Sequence, residues 1–162
     1  MSESKPRIGS QEFHEIAPDA YAALIKLSMA IGASGLDLGL VEMVKLRASQ
    51  INGCAFCTQY HLNAARKHKV PAEKLDLLAV WREAGIFTPR EQAALAWTEK
   101  LTSIAGNHIS DEDYAAVTAQ FSTEETAWLT TAIGLINTWN RIAGPLQFTP
   151  PIPKPEKELA NA

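Results

Sequence analysis

Helix-start signatures recur along the second half of the chain, and no stretch alternates strictly between polar and apolar residues. Residues 88–91 combine a capping box with a proline at the first helical position. Residues 122–125 form a second capping box, and residues 110–113 resemble one in which aspartate replaces glutamate. A half-buried strand would need an apolar period of two, which the chain lacks. The pattern therefore predicts an all-α fold.

Glycine, proline and an Asn-Gly pair divide the chain into about seven predicted helices. The pair at Asn52 and Gly53 ends one of them, because glycine tolerates the left-handed conformation found after a helix. The length suits a single domain over residues 1–162. Within it, we expect residues 1–15 and the proline-rich residues 149–162 to be extended or flexible arms. The predicted helices span 19–31, 37–51, 54–68, 71–85, 89–105, 111–120 and 123–142.

Charge and hydropathy exclude several classes of function. The net charge of −3 gives no basis for binding nucleic acid or an anionic membrane. The apolar stretch at 27–36 is too short to span a bilayer, and residues 1–10 lack the apolar core of a signal peptide. A secreted disulfide scaffold would need more cysteines than the two present. We therefore expect a cytoplasmic protein.

The two cysteines and a histidine follow one another at helical spacing. If a helix begins at Cys54, then Cys57 lies three residues along it and His61 four residues further, on the same face. A helix N-terminus favours the thiolate, which is the reactive form of a group whose ordinary pKa is about 8.5. His61 can accept the proton of Cys57, and an oxidised cysteine beside a second thiol condenses to a disulfide. The spacing indicates a redox-active dithiol site.

Two other interpretations of this spacing stay open. A structural zinc site would need a fourth ligand, for which Glu42, His68 or His108 is available, but no second pair with metal-ligand spacing exists. In the other interpretation the cysteines are inert and buried, as cysteines often are. Inert burial accounts less well for the histidine that follows them.

Glu42 is the fourth residue of interest, because it interrupts an apolar run in the middle of the second predicted helix. A helical glutamate commonly faces solvent. The alternative is a buried carboxyl with a raised pKa and a proton to exchange. A helix–turn–helix arrangement would then fold Glu42 back over His61.

The run from Glu42 to Cys57, with His61 after it, resembles the signature of the AhpD-like alkylhydroperoxidase family, also called the carboxymuconolactone decarboxylase family. That signature places a glutamate twelve positions before a C-x-x-C-x-x-x-H motif. The Ser-Gln-Ile-Asn-Gly sequence at 49–53 makes the match specific. Two further segments, 81–83 and 136–141, resemble the peroxidase-type branch, so that the similarity covers about 36–142.

The resemblance implies an AhpD-like helical domain that assembles into a homo-oligomer, often a trimer or hexamer. It also implies a thiol-dependent hydroperoxidase with an antioxidant role and with no bound cofactor or metal. Cys57 matches the cysteine that attacks the peroxide, and Cys54 matches the partner that closes the disulfide and meets an external dithiol reductant. His61 and Glu42 match the proton relay to Cys57.

Phe56 departs from AhpD, which has a histidine immediately before the second cysteine. This departure leaves the electron donor open, while the dithiol itself is intact. The decarboxylase branch of the family lacks the cysteine pair, so Cys54 and Cys57 argue against lactone decarboxylation. The remaining alternatives are a thiol–disulfide reductase and a redox-responsive or zinc-binding protein without turnover.

Overall fold

The computed structural model describes residues 5–154, and within this range the protein contains nine α-helices, one short 3-10 helix and no strand. The all-α prediction is therefore confirmed. The elements in chain order are α1 (Ser10–Ile16), α2 (Pro18–Gly32), α3 (Leu38–Ile51), α4 (Ala55–Lys67), α5 (Ala72–Asp76), a 3-10 helix (Leu78–Val80), α6 (Trp81–Ala84), α7 (Pro89–Thr102), α8 (Asp111–Thr118) and α9 (Thr123–Leu146).

The three predicted capping boxes open α7, α8 and α9. The hydroxyls of Thr88, Ser110 and Ser122 each accept a hydrogen bond from the backbone N–H three residues later. The acidic side chain at that later position accepts from the N–H of the capping residue. Two backbone donors without an intrahelical partner are thus satisfied at each helix start.

Two parts of the helix prediction are wrong. The expected N-terminal arm contains α1, whose Phe13 packs against Trp139 and Phe148. The single helix expected over 71–85 is broken into α5, the 3-10 helix and α6. Each of these three short elements contributes one buried residue to the core. These buried residues are Leu75, Leu78 and Trp81.

The C-terminal segment is described as far as residue 154. Residues 149–154 contain no helix or strand, and the Asn63 side-chain amide donates a 2.9 Å hydrogen bond to the Pro151 carbonyl. The parts of the predicted arms at 1–4 and 155–162 lie outside the described residues. Among the residues that are described, no helix is long and apolar enough to cross a membrane.

Helix α3 lies at the centre of the fold, where it packs against α4, α7 and α9. It begins at the N-cap Asp37, whose carboxylate accepts a 2.7 Å hydrogen bond from the Leu40 N–H. Most of its side chains are buried, and among them are two charged ones, Glu42 and Lys45. A charge is buried in a protein interior only when it is paired and hydrogen-bonded. The partners of these two charges define the candidate site.

Candidate active site

The turn between α3 and α4 is held in place by α9. The Asn52 side-chain amide donates to Asn140 Oδ1 at 2.8 Å, and the Asn140 amide donates to Ser49 Oγ at 3.1 Å. Gly53 adopts a φ of 66°, and the Cys54 N–H then donates to the Ser49 carbonyl at 3.0 Å. The Ser-Gln-Ile-Asn-Gly sequence therefore fixes where α4 begins.

Cys54 is the N-cap residue of α4, and its Sγ accepts a 3.3 Å hydrogen bond from the Cys57 N–H. Cys57 occupies the third position of the helix. The prediction that the C-x-x-C pair stands at a helix N-terminus is thus confirmed. Backbone N–H groups and the positive end of the helix dipole favour a thiolate at this position.

The two cysteines are joined by a disulfide bond, with their Cα atoms 5.4 Å apart. Both residues are nearly inaccessible, with 1% of Cys54 and 2% of Cys57 exposed. They belong to a small apolar cluster that includes Ile136 and Phe148. A reagent in solution can therefore reach these sulfur atoms only through a cavity or after local movement.

Glu42 and His61 meet across the α3–α4 pair. Glu42 Oε2 lies 2.6 Å from His61 Nδ1, and both side chains are buried. The structure therefore brings Glu42 beside His61, as it brings Cys54 beside Cys57, because the tight turn at Gly53 folds α4 back along α3. The solvent-facing alternative for Glu42 is wrong.

The pKa of Glu42 is lowered, not raised as the buried alternative supposed. Burial by itself raises this pKa, but the hydrogen bond and charge of His61, together with those of Lys45, outweigh it. Glu42 is thus a fixed carboxylate at neutral pH. It accepts hydrogen bonds from His61 Nδ1 and Lys45 Nζ.

The pKa of His61 is also lowered, because burial disfavours the imidazolium by more than Glu42 favours it, and the charge of Lys45 adds to the lowering. His61 is therefore neutral at pH 7. An ionised carboxylate can only accept a hydrogen bond, so Nδ1 carries the proton and donates to Glu42. Nε2 is left with a free lone pair and can act as a base.

Lys45 is the site residue that sequence reasoning missed. The residue is only 8% exposed, and its Nζ donates a 3.0 Å hydrogen bond to Glu42 Oε1. The signal that could have found it is the spacing, because residues three apart share a helix face. Glu42 thus bridges a cation on its own helix and an imidazole on the next one.

A cavity of about 160 Å³ lies beside this cluster. Cys57, His61 and Lys45 line it, whereas Cys54 does not. An apolar cavity of roughly this size holds a molecule as large as benzene. The rest of the wall is mostly aromatic and aliphatic, and comprises Ser10, Tyr21, Ile25, Ser28, Phe56, Tyr60, Leu135, Ile136, Trp139 and Phe148.

Metal ligation has no geometric support in residues 5–154. No group of three or more His, Cys, Asp or Glu side chains is arranged there to hold an ion. The three candidates for a fourth zinc ligand also lie in different environments. Glu42 is buried and hydrogen-bonded to His61 and Lys45, whereas His68 and His108 are exposed to solvent.

With this geometry in view, comparison with known proteins identifies the family. The profile of the Carboxymuconolactone decarboxylase family matches residues 18–100, about half of the chain. The chain belongs to the carboxymuconolactone decarboxylase family. The match includes α2, α3 and α4, and therefore the whole of the segment 42–61 on which the sequence resemblance rests.

Three relatives show how far this family likeness extends. Uncharacterized protein YdfG of Bacillus subtilis (strain 168) is 34% identical over 131 residues, covering 81% of this chain and 89% of that protein. A protein of unknown function from Agrobacterium tumefaciens, provisionally designated an antioxidant defence protein AhpD, is 38% identical with a TM-score of 0.86, covering 92% and 100% of the two chains. A peroxidase-related protein from Ralstonia eutropha JMP134, called an alkylhydroperoxidase AhpD core, is 26% identical with a TM-score of 0.73, covering 85% and 73%.

These relatives place the chain in the AhpD-like part of the carboxymuconolactone decarboxylase family, as the resemblance implied. The family name covers more than one reaction, so membership alone does not fix the chemistry. The reaction has to be inferred from the disulfide pair, the Glu42–His61 pair and the cavity.

Proposed function

We propose that this protein is a thiol-dependent hydroperoxidase with an antioxidant role. One observation carries the proposal: Cys57, which has a disulfide partner three residues away, lines a cavity together with His61, a neutral base held by Glu42. A nucleophile, a base and an orienting carboxylate are the parts that activated-thiol chemistry requires.

The proposed reaction begins with reduced Cys54 and Cys57. His61 Nε2 takes the proton of Cys57, and the thiolate attacks the terminal oxygen of the hydroperoxide. The sulfur–oxygen bond forms as the O–O bond breaks, which leaves a sulfenic acid on Cys57 and releases an alcohol or water. Cys54 then attacks this sulfur, expels water and closes the disulfide.

The cavity favours organic hydroperoxides as substrates over hydrogen peroxide. Its wall is mainly aromatic and aliphatic, as Tyr21, Ile25 and Trp139 illustrate. Burying an apolar substituent against such a wall contributes about 25 cal/mol per Å² of area removed from water. Hydrogen peroxide has no apolar group and gains nothing from this wall.

An external dithiol must reopen the disulfide by thiol–disulfide exchange. We assign its approach to a wider surface depression of about 760 Å³ that is lined by Gly53 and Ala55, the two neighbours of Cys54. Phe148 lines this depression and also belongs to the apolar cluster over the cysteines. Displacement of Phe148 would expose Cys54 to the reductant.

We further propose a cytoplasmic location, because the cycle needs a supply of reduced thiols that oxidising compartments lack. We also propose a homo-oligomer, a trimer or hexamer. Apolar side chains exposed on α2 and beside it support association, since Met29 is 71% and Ile16 62% exposed.

Steady-state turnover tests the proposed function. The wild-type protein is expected to reduce cumene hydroperoxide with dihydrolipoamide, thioredoxin or glutathione as the reductant, each supplied separately. Cys57→Ser is expected to lose all turnover, while Cys54→Ser should reduce about one equivalent of peroxide and then stop, because it cannot close the disulfide. Peroxide consumption by Cys57→Ser at the wild-type rate would contradict the mechanism.

The disulfide itself favours a second candidate, a thiol–disulfide reductase that does not act on peroxides. The same assay separates the two functions when it is repeated with insulin or a small aromatic disulfide as the acceptor. Turnover with the disulfide but with no hydroperoxide would favour the reductase.

A further inference from the structure

Lys45 has a position that fold stability does not explain. It is a lysine on the central helix, almost completely buried, at a place where the neighbouring residues of α3 are apolar. Replacing a buried ion pair by well-packed apolar side chains is often neutral or stabilising. Glu42 would also keep His61 as its partner without Lys45. A role in function would account for the burial of an ammonium group at this position.

The surroundings of Lys45 leave hydrogen-bonding capacity for a ligand. An ammonium group has three N–H donors, and Glu42 is its one acceptor in the part of the chain that the structure describes. Lys45 lines the 160 Å³ cavity together with Cys57 and His61. A molecule held between the sulfur and the imidazole would thus lie beside a cation with unused donors.

Peroxide reduction creates a need for such a cation. Negative charge develops on the leaving oxygen as the O–O bond breaks, and donors fixed in advance around that oxygen are an effective way to lower the barrier. Cys54 does not line the cavity, and Glu42 is an ionised acceptor with no proton to give. Lys45 and the protonated form of His61 are the cationic donors among the residues that line this cavity.

We propose that Lys45 is a further catalytic residue, whose ammonium group donates a hydrogen bond to the leaving oxygen of the hydroperoxide. The inference rests on the proposed hydroperoxidase function. Sulfur is oxidised as the Cys57 S–O bond forms, and the peroxide is reduced as its O–O bond breaks. The leaving oxygen takes the proton that His61 removed from Cys57, so the sum is a thiol and a hydroperoxide giving a sulfenic acid and an alcohol. Lys45 keeps its own proton throughout.

The test compares leaving groups of different basicity in single-turnover reactions of the reduced protein. tert-Butyl hydroperoxide releases a strongly basic alkoxide, whereas peracetic acid releases a carboxylate that is stable without help. Lys45→Met is expected to slow the first reaction by about 100-fold and the second by less than about fivefold. Lys45→Arg should restore most of the rate with tert-butyl hydroperoxide, and Lys67→Met, at an exposed lysine on α4, should change neither.

Alkylation by iodoacetamide provides the second readout, because that reaction needs the Cys57 thiolate but has no leaving oxygen. In a Cys54→Ser background, Lys45→Met is expected to leave the alkylation rate within about threefold. Equal losses with both peroxides, or an alkylation loss as large as the peroxide loss, would overturn the inference and leave the proposed function standing. A wild-type protein that reduces neither peroxide would instead overturn the proposed function, and this inference with it.

Discussion

Glu42 lies between a cation and an imidazole, and this placement determines its charge. Burial of a lone carboxyl would favour the neutral acid, but two hydrogen-bonded partners at 2.6 and 3.0 Å hold it in the ionised form. An ionised Glu42 fixes the tautomer of His61 and would stabilise the imidazolium once Cys57 has given up its proton. We therefore interpret the Glu42–His61 pair as a base with its orienting carboxylate.

The lowered pKa values predict that folding stability falls on acidification. The unfolded chain binds protons at His61 near pH 6.5 and at Glu42 near pH 4.5, the ordinary values, whereas the folded protein binds them only at lower pH. Because the unfolded state then holds more protons, the free energy of unfolding falls as the pH drops below 6.5, and falls further below 4.5. Urea unfolding of the oxidised protein at several pH values measures this fall.

His61→Gln is the matched control for the upper part of this pH range. It removes the group that titrates near pH 6.5, so the variant should lose less stability than the wild type between about pH 7.5 and about pH 5.5. An equal loss in the two proteins would show that protonation of His61 is not what destabilises the wild type.

At this scale the sequence predicted which residues lie together better than it predicted their ionisation states. Cys54 lies beside Cys57 and Glu42 beside His61, and both pairs could be predicted because spacing along one helix, and a family signature across two, can be read from residue order. The ionisation of Glu42 could not be predicted, since it depends on Lys45 being buried with it. A charged residue three positions from Glu42 is ordinarily solvated, and only the packing of α4 and α9 on α3 removes the solvent.

At the scale of helices, the α3–α4 turn depends on a side chain contributed by α9. Asn140 accepts from Asn52 and donates to the fully buried Ser49, whose carbonyl in turn holds the Cys54 N–H. The position of Cys54 at the start of α4 is therefore coupled to a residue 86 positions later in the chain.

Asn140→Ala is expected to lower the free energy of unfolding by about 1–3 kcal/mol, because it removes the hydrogen bonds to Asn52 and to buried Ser49 and opens a small void. Thr138→Ala, at an exposed position on the same helix, should change it by no more than about 0.5 kcal/mol. Urea denaturation of both variants checks this difference. A loss in Asn140→Ala no greater than that in Thr138→Ala would mean that the asparagine does not anchor the turn.

Helix boundaries were predictable wherever a local signal sets them. The capping boxes of α7, α8 and α9 are complete within four residues, so residue order alone places these helix starts. Helix α1 has no such signal, because its N-cap is Gly9, which has no side chain to accept a hydrogen bond. Its seven residues are stabilised by packing of Phe13 on distant aromatic rings, which sequence patterns do not reveal.

At the scale of the whole molecule, helix α2 exposes several apolar side chains to solvent. Its sequence is apolar on nearly every side, yet Ile25, Leu27 and Met29 remain exposed. Ile25 also lines the cavity, so a second copy seated on α2 would lie at the edge of the proposed substrate site. This is the surface that we assign to the proposed homo-oligomer.

Light scattering coupled to gel filtration tests this assignment. The wild-type protein is expected to have the mass of a trimer or hexamer, and Met29→Glu should shift it toward the monomer, because a buried unpaired charge opposes association. Ile152→Glu adds the same charge at an equally exposed residue of the C-terminal segment and should leave the mass unchanged. A monomeric wild type, or a mass unaffected by Met29→Glu, would contradict the proposed interface.

In the proposed reaction, Cys57 attacks the peroxide and Cys54 resolves the product. Trapping the sulfenic acid with dimedone tests these two roles directly. Each single-cysteine variant is treated with one equivalent of cumene hydroperoxide in the presence of dimedone, and the modified residue is located by peptide mass spectrometry. We expect a dimedone adduct on Cys57 in Cys54→Ser and no adduct formed at a comparable rate on Cys54 in Cys57→Ser. An adduct that forms faster on Cys54, or no adduct on either cysteine, would contradict the proposed reaction.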